Sequence, residues 1–301
     1  MRNDLQIWTS AGRLISSMPW AHTGLLAMGW SSQERLVCAF ESGVVRTFSV
    51  MCEPLATFTV DDRVASEGGA VLAAMWPGGV ALLTRRHSLF VNASVARSGD
   101  ACQRYADLRV AKPPLCMCVL PPPREDSGQV QVMLGTAEGP VLLADRHECR
   151  DIGLDEGPYV AFAISPSGGL LACLSEGGVF KVLSVEDDFR VVEVASLEIR
   201  KRPKQMVWCG DDCVALYLVK VTPSDTMQHV LFVGGPKNDW IPYEYATPIH
   251  LVSECDGFRI TGADKVEFVQ RVPESIEAID SIGNCDPPAM LCYAHECYEK
   301  G

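Results

Sequence analysis

The sequence predicts an all-β protein of the β-propeller class, and three observations predict it. A unit of apolar strand, tight turn, apolar strand, glycine-containing turn and apolar strand recurs about every 45 residues, the period of a propeller blade. Within the units the strands read as continuous apolar runs, as in Val80-Ala-Leu-Leu83 and Val141-Leu-Leu-Ala144, rather than as an in/out alternation. Strands covered on both faces look like this, and blade stacked on blade covers both faces. No helical pattern of roughly 10–15 residues separates successive strands, which excludes a parallel α/β sheet.

The elements follow in order. Leu5–Ser10, the turn Ala11-Gly12 and Arg13–Met18 predict a hairpin ahead of the first full unit, the tail of a blade that supplies an outer strand to close the ring. The first unit is Leu25–Trp30, Leu36–Phe40 and Val44–Val50, with the turn Glu41–Gly43 between the last two. The apolar stretches that open successive units end near Trp30, Trp76, Val119, Ile164, Trp208 and Val252, which marks six units. Pro121-Pro-Pro123 cannot sit in a central strand, so the third unit is expected to carry a protruding loop up to Gln129. In the fifth unit Thr222–Gln228 reads as an insertion ahead of Val230–Val233. Beyond Pro273 the pattern changes: Ile276, Ile279 and Ile282 at helical spacing predict a short helix over Glu274–Ile282, Gly283–Pro288 breaks it, and Ala289–Lys300 resumes a helical pattern. The expected division is a propeller over residues 1–273 and the start of an α-helical region over 274–301, with six recognisable blades and a partial one.

Composition narrows the function. The 301 residues are 48% hydrophobic, ample for a core, and carry a formal net charge of −12. That charge repels phosphate backbones and anionic lipids, so no nucleic-acid partner is expected and any membrane association is peripheral and indirect. No apolar run approaches the roughly 20 residues of a membrane span, and no signal-peptide pattern opens the chain. The 13 cysteines are odd in number and fall mostly in apolar strand contexts, among them Cys38, Cys118, Cys173, Cys209 and Cys255. They read as reduced thiols of a cytoplasmic protein that pack as small hydrophobes. Asn92-Ala-Ser94 matches the glycosylation acceptor pattern and would go unused there.

Motifs for chemistry are thin. Cys116-Met-Cys118 and Cys209/Cys213 are half-sites without the paired spacing of a zinc centre, and His147-Glu-Cys149 and His295-Glu-Cys297 are no closer to one. No phosphate-binding glycine loop or nucleophile elbow occurs, so neither enzyme activity nor a cofactor is expected. The candidates that remain are for contact with partners. Arg200-Lys201-Arg202-Pro203-Lys204 is a dense basic run on an acidic chain, suited to an acidic partner or to phosphoinositide headgroups, against the plain alternative of a solvated inter-blade loop. Arg85-Arg-His87 carries the same two readings. Trp240, Tyr243 and Tyr245 fall in a loop-like segment after Pro236 and are candidates for aromatic contact. Trp30, Trp76 and Trp208 recur at equivalent repeat positions and read as inter-blade packing.

Several segments carry a family resemblance. Arg202-Pro-Lys-Gln-Met-Val-Trp-Cys209 resembles a strand motif of the vacuolar protein sorting 16 family, as do Glu254-Cys-Asp-Gly-Phe-Arg-Ile260 and Val266-Glu-Phe-Val-Gln-Arg-Val-Pro273. Leu5-Gln-Ile-Trp-Thr-Ser-Ala-Gly12 and Ala27-Met-Gly-Trp-Ser31 are similar as well, and Tyr298-Glu-Lys300 resembles the point where the family's long helices begin. The resemblance implies a seven-bladed N-terminal propeller followed by an α-solenoid, in a core subunit of the HOPS and CORVET tethering complexes at late endosome, lysosome or vacuole. Other tethering subunits are the implied partners. The SM-family partner is bound through the solenoid, which is expected to be missing here along with roughly one blade ahead of Leu5. The expectation is a non-catalytic scaffold. Its alternatives are a propeller that binds a peptide outside the tethering machinery, or a hydrolase, which would need carboxylates or histidines gathered at one channel mouth.

Overall fold

The computed structural model describes residues 4–95, 102–120, 130–199, 201–221, 227–234, 240–254, 256–270, 272, 276, 282 and 286–300. Residues 121–129, 274–275 and Cys255, for which the sequence makes specific predictions, lie outside the described residues, as does most of the segment 277–285.

The strands assemble as consecutive antiparallel meanders. Blade 1 is β3(Leu25–Trp30), β4(Leu36–Phe40), β5(Val44–Phe48) and β6(Pro54–Thr59); blade 2 is β7(Ala70–Trp76), β8(Gly79–Thr84), β9(Leu89–Asn92) and β10(Cys102–Arg104). Blade 3 comprises β11(Cys116–Leu120), β12(Gln131–Gly135), β13(Val141–Ala144) and β14(Cys149–Asp151). Blade 4 comprises β15(Tyr159–Ile164), β16(Leu170–Ser175), β17(Val179–Ser184) and β18(Arg190–Ser196). Blade 5 is β19(Gln205–Cys209), β20(Cys213–Val221), β21(Met227–Gly234) and β22(Ile241–Tyr245), and blade 6 has three strands, β23(His250–Glu254), β24(Gly257–Thr261) and β25(Val266–Gln270). The predicted N-terminal hairpin is present as β1(Asp4–Trp8) and β2(Leu14–Pro19), a two-stranded sheet of its own. Among the described residues six blades and a partial one are therefore observed, as expected.

The first strands of the blades pack side by side in the order β3, β7, β11, β15, β19, β23 and form the inner ring. The core is a series of layers between blades rather than one central mass. Val37, Ala39 and Val45 of blade 1 meet Val80, Leu82 and Phe90 of blade 2 in one such layer. Equivalent layers join blades 2 and 3, 3 and 4, 4 and 5, and 5 and 6. This explains the continuous apolar runs: β4 and β8 are buried at every position because each contributes to two layers. The hairpin β1–β2 occupies the place between blade 6 and blade 1. Leu5 and Ile7 pack on Leu36, Cys38 and Phe48 of blade 1, while Arg259 Nη1 of blade 6 donates to Ser10 O at 3.1 Å.

Local chemistry sets the turns. Gly43, between β4 and β5, has φ +84, and a Cβ there would lie 2.8 Å from Val64 Cβ, so only glycine fits both the turn and the close approach. Val64 belongs to a five-residue helix α1(Asp62–Ser66) that the sequence did not announce; Asp61 caps it, its Oδ1 accepting from Arg63 N at 2.8 Å. Helix α2(Pro287–Lys300) matches the expected helical resumption and begins two residues earlier than Ala289, since proline is tolerated in a first turn. Its described side chains are largely exposed.

Two expectations need correction. Of the expected insertion Thr222–Gln228, residues 222–226 lie outside the described residues, and Met227 and Gln228 belong to strand β21: pairing in blade 5 continues through Val219↔His229, Lys220↔Gln228 and Val221↔Met227, because the apolar run from Val214 sustains the ladder past the blade's edge. Trp208 and Trp76 pack between blades as expected, but Trp30 is 46% exposed. Trp208 Nε1 donates to Ala163 O of the preceding blade at 2.8 Å. Among the described residues, the hairpin β1–β2 is what stands in the corresponding place beside Trp30, and it packs on the outer part of blade 1.

Candidate interaction surface

The described part of the basic run, Lys201 to Lys204, connects toward β19, the inner strand of blade 5, from the outer strand β18 of blade 4. Lys201, Arg202 and Lys204 are exposed and Pro203 is buried, which anchors the run; Arg200 lies outside the described residues. Lys204 N donates to Tyr217 O at 2.8 Å, fixing the start of β19 against β20. Arg202 and Lys204 stand at the wall of a cavity of about 220 Å³ lined by inner-strand residues Leu72, Met117 and Phe162, the central channel of the propeller. Arg202, Lys204 and Gln205 give it a polar side, and no carboxylate or histidine is among its lining residues.

The aromatic candidates separate. Trp240 is packing: its ring meets Phe180 of blade 4 edge-on at 5.1 Å and covers Gly234, where a Cβ would be 2.2 Å from the indole. It is thus part of the layer between blades 4 and 5, and its Nε1 is buried without a hydrogen-bond partner among the described residues. Tyr243 and Tyr245 lie on strand β22 rather than in a loop. Tyr243 is 47% exposed and remains available for contact. Tyr245 Oη donates to Glu267 Oε2 at 3.0 Å, and Lys265 Nζ sits 5.4 Å above its ring while bonding Glu267 Oε1 at 2.7 Å. Burial, then the Glu267 bond, pushes the Tyr245 phenol up to about 12, and Lys265 holds the Glu267 carboxyl below its usual range. Tyr245 therefore ties blade 5 to blade 6. Arg202 and Lys204 share the wall of the central cavity, Lys201 lines a separate cleft toward blade 4, and neither tyrosine lines either one.

The cysteine motifs do not build a metal centre. Among the described residues no group of three or more His, Cys, Asp and Glu is placed to hold an ion. Burial pushes the Cys116 and Cys118 thiols up to about 12, so both stay protonated. Cys209 and Cys213 face each other across the β19–β20 turn, where the bond between them lowers the Cys209 thiol and raises Cys213. Asn92 is fully buried, with Oδ1 accepting from Ser94 N at 2.9 Å, so the acceptor pattern it opens is closed off in the folded chain. Among the described residues no helix is long and apolar enough to cross a membrane.

The family described as Vps16, N-terminal region, matches residues 1–301. The chain belongs to the Vps16 N-terminal family. Its curated relatives agree: Protein VACUOLELESS1 of Arabidopsis thaliana is 28% identical across 98% of this chain, and the vacuolar protein sorting-associated protein 16 homolog of Dictyostelium discoideum is 26% identical across 97%. The chain spans about a third of the length of these relatives, 36% and 35%. Among solved structures it is similar to Saccharomyces cerevisiae Sqt1, with a TM-score of 0.54 at 12% identity over 90% of this chain and 91% of that one. A structure of BBS1N in complex with ARL6DN gives a TM-score of 0.55 at 11% identity, over 90% and 85%. At such identity these two show the fold of this Vps16 N-terminal chain and nothing further.

Sequence reasoning missed one feature of the surface. The second strands β4, β8, β12 and β16 have five or six residues, whereas β20 has nine and stands proud of the blade with β21. The signal was there, in the uninterrupted apolar run Val214–Val219.

Proposed function

We propose that this chain is the propeller part of a non-catalytic scaffold subunit in an endolysosomal or vacuolar membrane-tethering complex of the HOPS and CORVET type. The observation that carries the reading is the match to the Vps16 N-terminal family over residues 1–301 on a propeller framework. Relatives named for vacuolar protein sorting support it. The role is geometric: layers between blades make a stiff body that positions whatever follows α2 and offers its loops to other subunits. On this reading residues 1–273 are the propeller and 274–301 open a helical region, the protein works in the cytoplasm, and it reaches the membrane of late endosome, lysosome or vacuole through partners. Lys201, Arg202, Lys204 and Tyr243 are the contact residues this reading favours. Binding of the SM-family partner is not assigned to this chain. The test is co-purification of the tagged chain with the other core tethering subunits, identified by mass spectrometry. Recovery of at least one at stoichiometric yield is expected, and recovery of none would sink the proposal.

A further inference from the structure

The overhang of blade 5 is an open strand edge with a cleft on each face. Tyr217 O accepts from Lys204 N on the β19 side of β20, so the backbone groups of Val219 and Val221, two and four residues on, face that same side. β19 begins at Gln205, opposite Tyr217, and does not reach them. Among the described residues nothing accepts from or donates to the backbone of Val219 or Val221 on this edge, whereas their other neighbours pair with β21. Such an edge is a template for another strand.

The side chains about the edge say which strand. Leu218 and Lys220 line a cleft of about 770 Å³ on the blade 4 side, with Leu197, Ile199 and Lys201. Tyr217 and Val219 line one of about 650 Å³ on the blade 6 side, with Lys204, Met227 and Ile249. An added strand alternates its side chains between these clefts, which suits one apolar residue and one polar residue in turn. Charge selects the polar one. Lys201, Lys204 and Lys220 rim the clefts, and the lining holds one carboxylate, Glu198, on a chain whose net charge is −12. Lys220 is held in place, its Nζ 5.1 Å above the Phe232 ring.

We infer that the edge Val219–Val221 of blade 5 is a docking site for an extended peptide segment of a partner protein, one that alternates apolar and acidic residues and adds to β20 as a strand. The site goes beyond the scaffold role and does not depend on it. Its test uses the chain and a labelled short peptide in which valine alternates with glutamate, with a lysine-for-glutamate peptide as counterpart. Fluorescence anisotropy is expected to show binding of the acidic peptide, about tenfold weaker binding of the basic one, and a similar loss for K201E/K220E. Val219→Pro removes an N–H from the open edge without touching the β21 ladder, so it should abolish binding while the circular dichroism of the fold is kept. If that variant fails to fold, hydrogen exchange decides: the amides of Val219 and Val221 should gain protection when the acidic peptide is added to the unaltered chain. Equal affinity for both peptides, unaltered binding by a folded V219P, no protection at those amides, or no binding at all would overturn the proposal.

Discussion

The arc from blade 2 to blade 5 and the seam between blade 6 and blade 1 are built from the same repeat, yet they bury it differently. In the arc the inner strand β7 is at least half-covered along its length, and Trp208 on β19 is 2% exposed with its indole N–H bonded to the blade before it. At the seam β3 leaves Met28 53% and Trp30 46% exposed, while in the middle strands of the same blade β4 is buried throughout and β5 at three of its five positions. The hairpin β1–β2 accounts for the split: it packs on the outer half of blade 1 and leaves the inner half open. Burial of a repeat residue is thus set by its neighbour as much as by its own position.

Three measurements test that contrast. The largest effect is expected from truncating the two tryptophans. Trp208→Ala removes a buried ring and strands a carbonyl, and should cost about 3–5 kcal/mol in urea denaturation, whereas Trp30→Ala should change stability by no more than about 0.5 kcal/mol. Equal costs would mean that the seam is packed in solution. Alkaline pH probes the outer layer next. Burial pushes the thiols of Cys38 at the seam and Cys118 in the arc up to about 12, above an ordinary value of 9.0. A raised thiol contributes stability that is whole below the unfolded value and is lost as pH climbs toward the folded one. Each should therefore cost about 1 kcal/mol at about pH 10 relative to neutral pH. The slope of stability with pH should be shallower in C38A and in C118A; an unchanged slope in C38A alone would show that β1–β2 does not cover that thiol. The smallest effect belongs to Arg259→Ala. Its contacts to Glu254 and Ser10, made near the surface, are worth about 1 kcal/mol, and the readout is faster amide exchange confined to β1, β2 and blade 6.

Much of this fold was legible because a propeller writes itself as a period. The apolar stretches ending at Trp30, Trp76, Val119, Ile164, Trp208 and Val252 fall at or near the ends of the inner strands, since every blade solves the same packing problem. What was not legible depends on neighbours across space. Nothing local distinguishes Trp30 from Trp208; what does is that, among the described residues, no inner strand packs on the face of β3 away from blade 2. Trp240 read as a loop aromatic because Gly234, the residue that makes room for its ring, pairs with Val214 one strand over. Helix α1 was hidden by its length, too short for a 3.6-residue period to declare itself. The basic run was visible as charge, but its relation to an open strand edge depends on how far β20 overshoots β19.

The layered core also orders events in time. Each layer joins blades adjacent in the chain, so its contacts close loops of similar, moderate length, and each can form as soon as its second blade has been made. The bond from Arg259 to Ser10 is of another kind, joining residues 249 apart. A chain leaving the ribosome can therefore dock the hairpin on blade 1 and stack four layers in succession before blade 6 exists, the fifth forming with blade 6 itself. The seam, held by a contact between residues so far apart in the chain, is the last joint to close.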